Sequence, residues 1–255
     1  MKQFALVGKP ISHSKSPSLF KAAYGDCDFE YSLIETTDVK YVENLLRSKI
    51  LHGVNVTIPI KIEALSIVDE IDETAEMTGA TNTIVVNGDN KLKAYNTDYL
   101  GVLQTLIDFN VDIQGEECLI IGAGGAGRAV AFALHKLGAN ITIANRTADK
   151  ANLIAEKINC NVISIDEINY NISNKKLIVN ALPADICVID KQYLNPQQTV
   201  FDASPHQSML LKTAQSKGCR CIDGRFWLLH QGIAAYKIFT QQPPDIISMR
   251  KILDI

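Results

Sequence analysis

The sequence predicts an α/β protein in which an N-terminal α/β domain is joined to a doubly wound parallel-sheet domain, with a functional cleft between them. Three observations carry this. Short apolar runs alternate with helical stretches along the chain. A glycine-rich turn, Gly122-Ala123-Gly124-Gly125-Ala126-Gly127, stands between such a run and a helix. That turn begins past residue 120, so about the first hundred residues are left to form a unit of their own, and 255 residues suffice for two cores.

Taken in order, residues 3–8 read as a strand, and Ser16-Pro17 as a helix start with a capping residue and proline at the first position. Residues 31–35 form a strand, and Asp38 caps a helix bearing Val39, Val42 and Leu46. Residues 54–58 form a strand closed by Pro59, followed by short helices at 62–68 and 74–77. A hairpin of residues 83–86 and 91–95 turns across Asn87-Gly88. Strands with helical crossovers predict a parallel sheet whose functional groups gather at the strands' C-terminal ends. Polar residues do cluster there: Ser12 to Ser16, Asn55 with Thr57 and Lys61, Asn82, and Asn96-Thr97-Asp98. Asp98 opens a helix with Leu100, Leu103, Leu106 and Ile107 along one side.

The next unit is the most legible. Residues 118–121 are a buried-type strand, and Gly122, Gly124 and Gly127 give G-x-G-x-x-G spacing. The following helix buries Ala126, Ala129, Val130, Ala133, Leu134 and Leu137, ends near Gly138, and leads to a strand at 141–144. Such a turn lets backbone approach a pyrophosphate at a helix N-terminus, so a Rossmann dinucleotide site is expected. Where an NAD site usually carries a carboxylate, this chain has Asn145-Arg146-Thr147 and Lys150, which favours the 2′-phosphate of NADP. A bland reading is a tight strand–helix turn with Thr147 as N-cap. Strands at 161–165, 177–180, 199–202 and 221–223, with helices near 148–158 and 208–217, complete the sheet. The tail from Trp227 is helical with a break at Pro243-Pro244.

Composition narrows the function classes. Net charge is −3, without the basic runs that nucleic acid or an anionic membrane would call for. No long apolar stretch or export leader is read, so a cytoplasmic protein is expected. The six cysteines lack C-x-x-C spacing and read as reduced thiols, with no metal site.

Ser14-Lys15-Ser16-Pro17, Asn55-Val56-Thr57-Ile58-Pro59-Ile60-Lys61, Asn96-Thr97-Asp98, Gly122 to Ala126 and Asn145-Arg146-Thr147 together resemble the shikimate dehydrogenases. The resemblance spans nearly the whole chain. It implies reduction of 3-dehydroshikimate to shikimate with NADPH, in aromatic amino acid biosynthesis. Substrate would be held by Ser14, Ser16, Thr57, Asn82, Asp98 and Gln231, with Lys61 and Asp98 catalytic. NADP would be held by Gly122, Ala123, Gly124, Gly125, Ala126, Asn145, Arg146, Thr147 and Lys150, with Gly224 near the nicotinamide. The implied domains are 1–98 plus 232–255 for substrate and 99–231 for cofactor, in a monomer or homodimer. Chemically, Lys61 suits a proton donor beside a carbonyl oxygen, with Asp98 holding it charged and oriented.

Each residue also has a plainer role: Ser16 or Asp98 as an N-cap, Ser14 in a turn, Asn55 bonding a neighbouring loop. His13 is left outside the catalytic set. Three stretches depart from the family pattern: Asn180-Ala181-Leu182-Pro183, Asp202-Ala203-Ser204-Pro205 without the usual tyrosine, and Arg225-Phe226-Trp227 after Asp223-Gly224. Bulky Phe226 and Trp227 either reshape the nicotinamide pocket or simply fill a gap; the sequence leaves both readings open. Alternatives are a quinate/shikimate dehydrogenase using NAD(P), a folate-type dehydrogenase, which the serine pair disfavours, and a non-catalytic cofactor-binding regulator.

Overall fold

The computed structural model describes residues 1–24, 28–182, 187–204 and 208–255; Cys27, Pro183 and Pro205, singled out above, lie outside them. The chain forms two compact units, Met1–Gly101 with Leu229–Ile255, and Val102–Leu228.

In the first unit the elements are β1 (Lys2–Gly8), α1 (Ser16–Tyr24), β2 (Phe29–Glu35), α2 (Val39–Arg47), β3 (Gly53–Val56), a 3-10 turn (Glu63–Ile67), β4 (Glu70–Ile71), α3 (Glu73–Thr78), β5 (Thr83–Val86), β6 (Leu92–Tyr95) and the start of α4 (Thr97–Asp108). The strand order is β2-β1-β3-β5-β6-β4. β1 runs parallel to β2 and β3, but β5 is antiparallel to both β3 and β6, so the sheet is mixed rather than parallel. The hairpin forces this, because a short turn can only join antiparallel strands. The pairing of β4 with β6 escapes the sequence because two residues show no periodicity.

Alternation along these strands sends Ala5, Val7, Val54, Val56 and Ile84 into one apolar cluster with Val42 and Leu46 of α2. On the other side lies an aromatic cluster closed by the tail helices. Phe239 stacks on Phe4 at 4.6 Å between centroids, and Tyr236 lies 5.2 Å from Tyr24. Gly53 makes room for this: a Cβ there would fall 2.8 Å from the Phe239 ring.

The second unit contains the rest of α4, then β7 (Glu117–Ile121), α5 (Gly125–Lys136), β8 (Asn140–Ala144), α6 (Ala148–Ile158), β9 (Asn161–Ile163), α7 (Ile168–Asn171), β10 (Leu177–Asn180), β11 (Thr199–Asp202), α8 (Met209–Ser216), β12 (Arg220–Asp223) and the start of α9 (Gly224–Thr240); α10 (Ile246–Ile252) follows in the first unit. All six strands are parallel in the order β12-β11-β10-β7-β8-β9. The order reverses direction at β7, the switch point at which doubly wound sheets bind ligands.

Candidate active site

Apart from Gln231 on α9, the residues expected to hold substrate gather at one edge of the first sheet, past the C-terminal ends of β1, β3 and β6 and before the N-terminal end of the antiparallel β5. Helix α1 begins after a loop in which the Lys15 carbonyl accepts the Leu19 N–H at 2.9 Å, so Lys15, not Ser16, is the capping residue. Ser14 Oγ accepts the Ser16 N–H at 3.2 Å and donates to Ser16 Oγ at 3.1 Å. The two hydroxyls therefore form a pair, with Ser16 buried and Ser14 half-buried. His13 is exposed beside them.

After β3 the chain turns through Thr57, whose carbonyl accepts the Ile60 N–H at 3.2 Å, with a cis peptide at Ile58-Pro59. This turn delivers Lys61. Its Nζ lies 2.5 Å from Oδ2 of Asp98, and both side chains are largely enclosed, at 14% and 11% exposure. Asp98 is not the cap of α4. Asn96 Oδ1 accepts the Tyr99 N–H at 3.1 Å in that role, while Asn96 Nδ2 donates to Thr78 and Ala80. Asp98 thereby stands inside the first turn of α4.

Asn82 is buried, and its amide orientation is dictated by its neighbours. Oδ1 accepts the Thr97 N–H at 2.7 Å and the Thr83 hydroxyl at 3.1 Å, while Nδ2 donates to Thr97 Oγ1 at 2.9 Å. With its oxygen saturated, the amide has an N–H to offer a ligand and no acceptor. Asn55 is likewise committed inside the protein, bonding Tyr31, the Asn82 carbonyl and Thr83. Gln231 sits on α9 next to Gly232, where a Cβ would meet Leu19 of α1 at 3.0 Å. That turn of α9 is thus held against the helix that Ser16 begins.

In the other unit the three glycines of the G-x-G-x-x-G spacing have three different reasons. Gly122 adopts φ +106°, which side chains rarely tolerate. Gly127 has no room, since a Cβ would fall 2.0 Å from the Gly122 carbonyl oxygen. Gly124 opens on empty space, with no atom within 4 Å of where a Cβ would stand. The first-turn N–H groups of α5 lack intrahelical partners, as at any helix start. Asn145 ties the turn to the loop after β8: its Oδ1 accepts the Ala123 N–H at 3.2 Å and its Nδ2 donates to the Thr147 carbonyl at 2.7 Å. Ala123 and Asn145 are therefore already engaged within the protein. Arg146, Thr147 and Lys150 are exposed, and Thr147 occupies the N-cap of α6 without spending its hydroxyl there. An open glycine cradle beside an exposed guanidinium and hydroxyl fits a dinucleotide carrying an extra phosphate.

The departures from family pattern have structural accounts. Trp227 is buried against Phe201, with ring centroids 5.8 Å apart, and Phe226 meets Phe109 edge-on at 4.7 Å. Both rings pack on neighbours within their own unit, where large apolar rings gain by burial. Asp202 is buried and accepts from Ser208 Oγ at 2.6 Å, the Ser204 N–H at 2.9 Å and Asn180 Nδ2 at 3.3 Å. It ties the end of β10 to Ser204 and Ser208. At Gly224 a Cβ would collide with the Ser204 and Ala203 carbonyls at 2.4 and 2.5 Å, so glycine is required for packing whatever else lies near it.

Comparison with known proteins decides the family. Residues 6–84 match the shikimate dehydrogenase substrate binding domain, and residues 104–211 match shikimate / quinate 5-dehydrogenase. The chain belongs to the shikimate dehydrogenase family. Among shikimate dehydrogenases, the NADP(+) protein of Nitrosopumilus maritimus is 36% identical, covering 99% of this chain and 98% of its own. A shikimate dehydrogenase crystallised with NADP+ superposes with a TM-score of 0.91 at 34% identity, over 100% of this chain and 95% of that one. A Corynebacterium glutamicum quinate dehydrogenase bound to NAD gives the same TM-score at 26% identity, over 100% of this chain and 99% of that one. The mixed substrate-type sheet and the all-parallel sheet described above are those of an α/β protein of this family. No helix among the described residues is long and apolar enough to cross a membrane, and no cluster of potential metal ligands occurs among them.

Proposed function

We propose that this chain reduces 3-dehydroshikimate to shikimate with NADPH, and that Lys61 and Asp98 carry the proton chemistry. The observation that supports this most directly is the enclosed Lys61–Asp98 pair at 2.5 Å, with the residue before Asp98, Thr97, bonded to Asn82. NADPH, when bound, supplies the hydride. Gly124, Gly125 and Ala126 would hold its pyrophosphate, with Arg146, Thr147 and Lys150 on the 2′-phosphate. Lys61 would donate its proton to the carbonyl oxygen as that oxygen gathers charge, and Asp98 would keep the ammonium aimed. Ser14, Ser16, Thr57, Asn82 and Gln231 would hold the carboxylate and hydroxyls, a task suited to neutral hydrogen-bonding groups.

The test follows NADPH oxidation with 3-dehydroshikimate. Lys61→Ala is expected to lower kcat by about 10² to 10⁴ with a modest change in KM. Full activity in that variant would remove Lys61 from the mechanism. Quinate with NAD is the second substrate pair to try, because a solved relative with this fold is a quinate dehydrogenase bound to NAD. Exposed Arg146 favours NADPH over that pair.

A further inference from the structure

We infer that Asn96, which belongs to neither the substrate set nor the catalytic set, is a positioning residue whose one buried carboxamide holds both arms of the Lys61–Asp98 pair. This rests on the proposed role of that pair in proton donation. The segment Asn96-Thr97-Asp98 offers three residue types that cap helices well. The structure gives the task to Asn96, whose Oδ1 accepts the Tyr99 N–H at 3.1 Å. Asp98 lies two places further on, and its carboxylate accepts from Lys61 Nζ at 2.5 Å instead.

The other end of the same amide meets the loop that fixes Lys61. Asn96 Nδ2 has two protons, and it donates them to the Ala80 carbonyl and to Thr78 Oγ1, each at 2.9 Å. Thr78 can accept there because its own proton has a near acceptor, the Thr74 carbonyl at 2.7 Å. One residue past Ala80, the Thr81 N–H donates to the Lys61 carbonyl at 2.8 Å. The Thr81 hydroxyl donates to the carbonyl of Tyr95, the residue before Asn96, at 2.8 Å, the nearer of its two carbonyl neighbours. The Asn96 N–H in turn donates to Thr74 Oγ1 at 2.9 Å. Asn96, Thr78 and Thr81 are all fully buried.

The amide can sit only one way round, since an oxygen toward Ala80 would set two acceptors against each other. Without it the Tyr99 N–H and the Ala80 carbonyl each lose a partner inside the protein, and the backbone carrying Lys61 and that carrying Asp98 can shift independently. A proton donor must meet its carbonyl within hydrogen-bond reach, and a displacement of about 1 Å in such a constellation costs on the order of 10²-fold in rate.

The experiment compares wild type, Asn96→Ser, Asn96→Asp, Lys61→Ala and the Asn96→Ser/Lys61→Ala double variant, all as full-length chains. Serine and aspartate both keep an acceptor for the helix cap, and neither brings an amide to Ala80. Serine adds no charge and aspartate keeps the shape, so one carries the test if the other does not fold. Steady-state rates with NADPH and 3-dehydroshikimate are measured in H2O and in D2O. Each Asn96 variant is expected to lower kcat by about 10- to 100-fold and to leave the NADPH KM unchanged. The solvent isotope effect on kcat should rise, because proton donation has become slower, whereas a mere loss of folded enzyme would leave it as in wild type. In the Lys61→Ala background, Asn96→Ser should lower the residual rate by less than about twofold. Wild-type kcat in either variant, an unchanged isotope effect, or equal fold-losses with and without Lys61 would overturn the clamp. Lys61→Ala at wild-type activity would instead overturn the reading of Lys61 on which the clamp depends. An inactive Lys61→Ala beside an indifferent Asn96→Ser would overturn the clamp alone.

Discussion

At the scale of single residues, the Lys61–Asp98 ion pair joins a loop to the first turn of a helix far along the chain. Lys61 and Asp98 are 37 positions apart, and nothing local announces their contact at 2.5 Å. The motif positions were readable because each bears a residue type that chemistry needs. The amide orientations of Asn82 and Asn55 were not, because they depend on which neighbours saturate which atom. Arg146 gives this scale its clearest expectation on the cofactor side. It is exposed, next to an Asn145 fastened to the glycine turn, so its loss should disturb little else. Arg146→Ala is expected to raise the KM for NADPH by about tenfold and leave that for NADH unchanged. An unchanged NADPH to NADH ratio would assign the 2′-phosphate to another group.

At the scale of elements, the strand–turn–helix of β7 and α5 was the easiest to read, because its glycine spacing and its 3.6-residue apolar period agree. Elements that depend on partners were harder. β4 and the antiparallel course of β5 are set by pairing across the sheet, and Phe226 and Trp227 by the rings they meet. One such partnership joins β1 to the loop before β3: the Gln3 N–H donates to Nδ1 of His52 at 3.2 Å. Burial foremost, then Lys2, lowers the His52 pKa from its ordinary 6.5, so the folded chain prefers the neutral ring. Below 6.5 the unfolded chain binds a proton that the folded chain resists, and stability must fall with pH. The His52 contribution is therefore complete above 6.5 and lost as pH drops through the folded value. Denaturant midpoints at pH 7.5 and 5.5 should show this loss in wild type, and His52→Gln should flatten it. An equal slope in the variant would place the titration elsewhere.

At the scale of the whole molecule, the chain leaves its first unit and returns to it. Both boundaries, at Gly101 and Leu229, fall inside helices, α4 and α9, where no linker composition marks them. The return is what closes the aromatic core of the first unit. Phe239 stacks on Phe4 and fills the slot over Gly53, Tyr236 meets Tyr24, and Gly232 lies on Leu19. Deleting one such buried ring costs about 3–5 kcal/mol. Removing all of them would exceed much of the roughly 5–15 kcal/mol that holds a domain folded. The second unit, by contrast, is continuous from Val102 to Leu228 and owns a complete parallel sheet. A chain ended after Leu228 is therefore expected to keep NADPH binding, seen as enhanced nucleotide fluorescence, while losing 3-dehydroshikimate reduction altogether. Retained turnover would mean that α9 and α10 are dispensable to the residues around Lys61. Loss of nucleotide binding as well would mean that the continuous unit cannot hold its glycine turn without them.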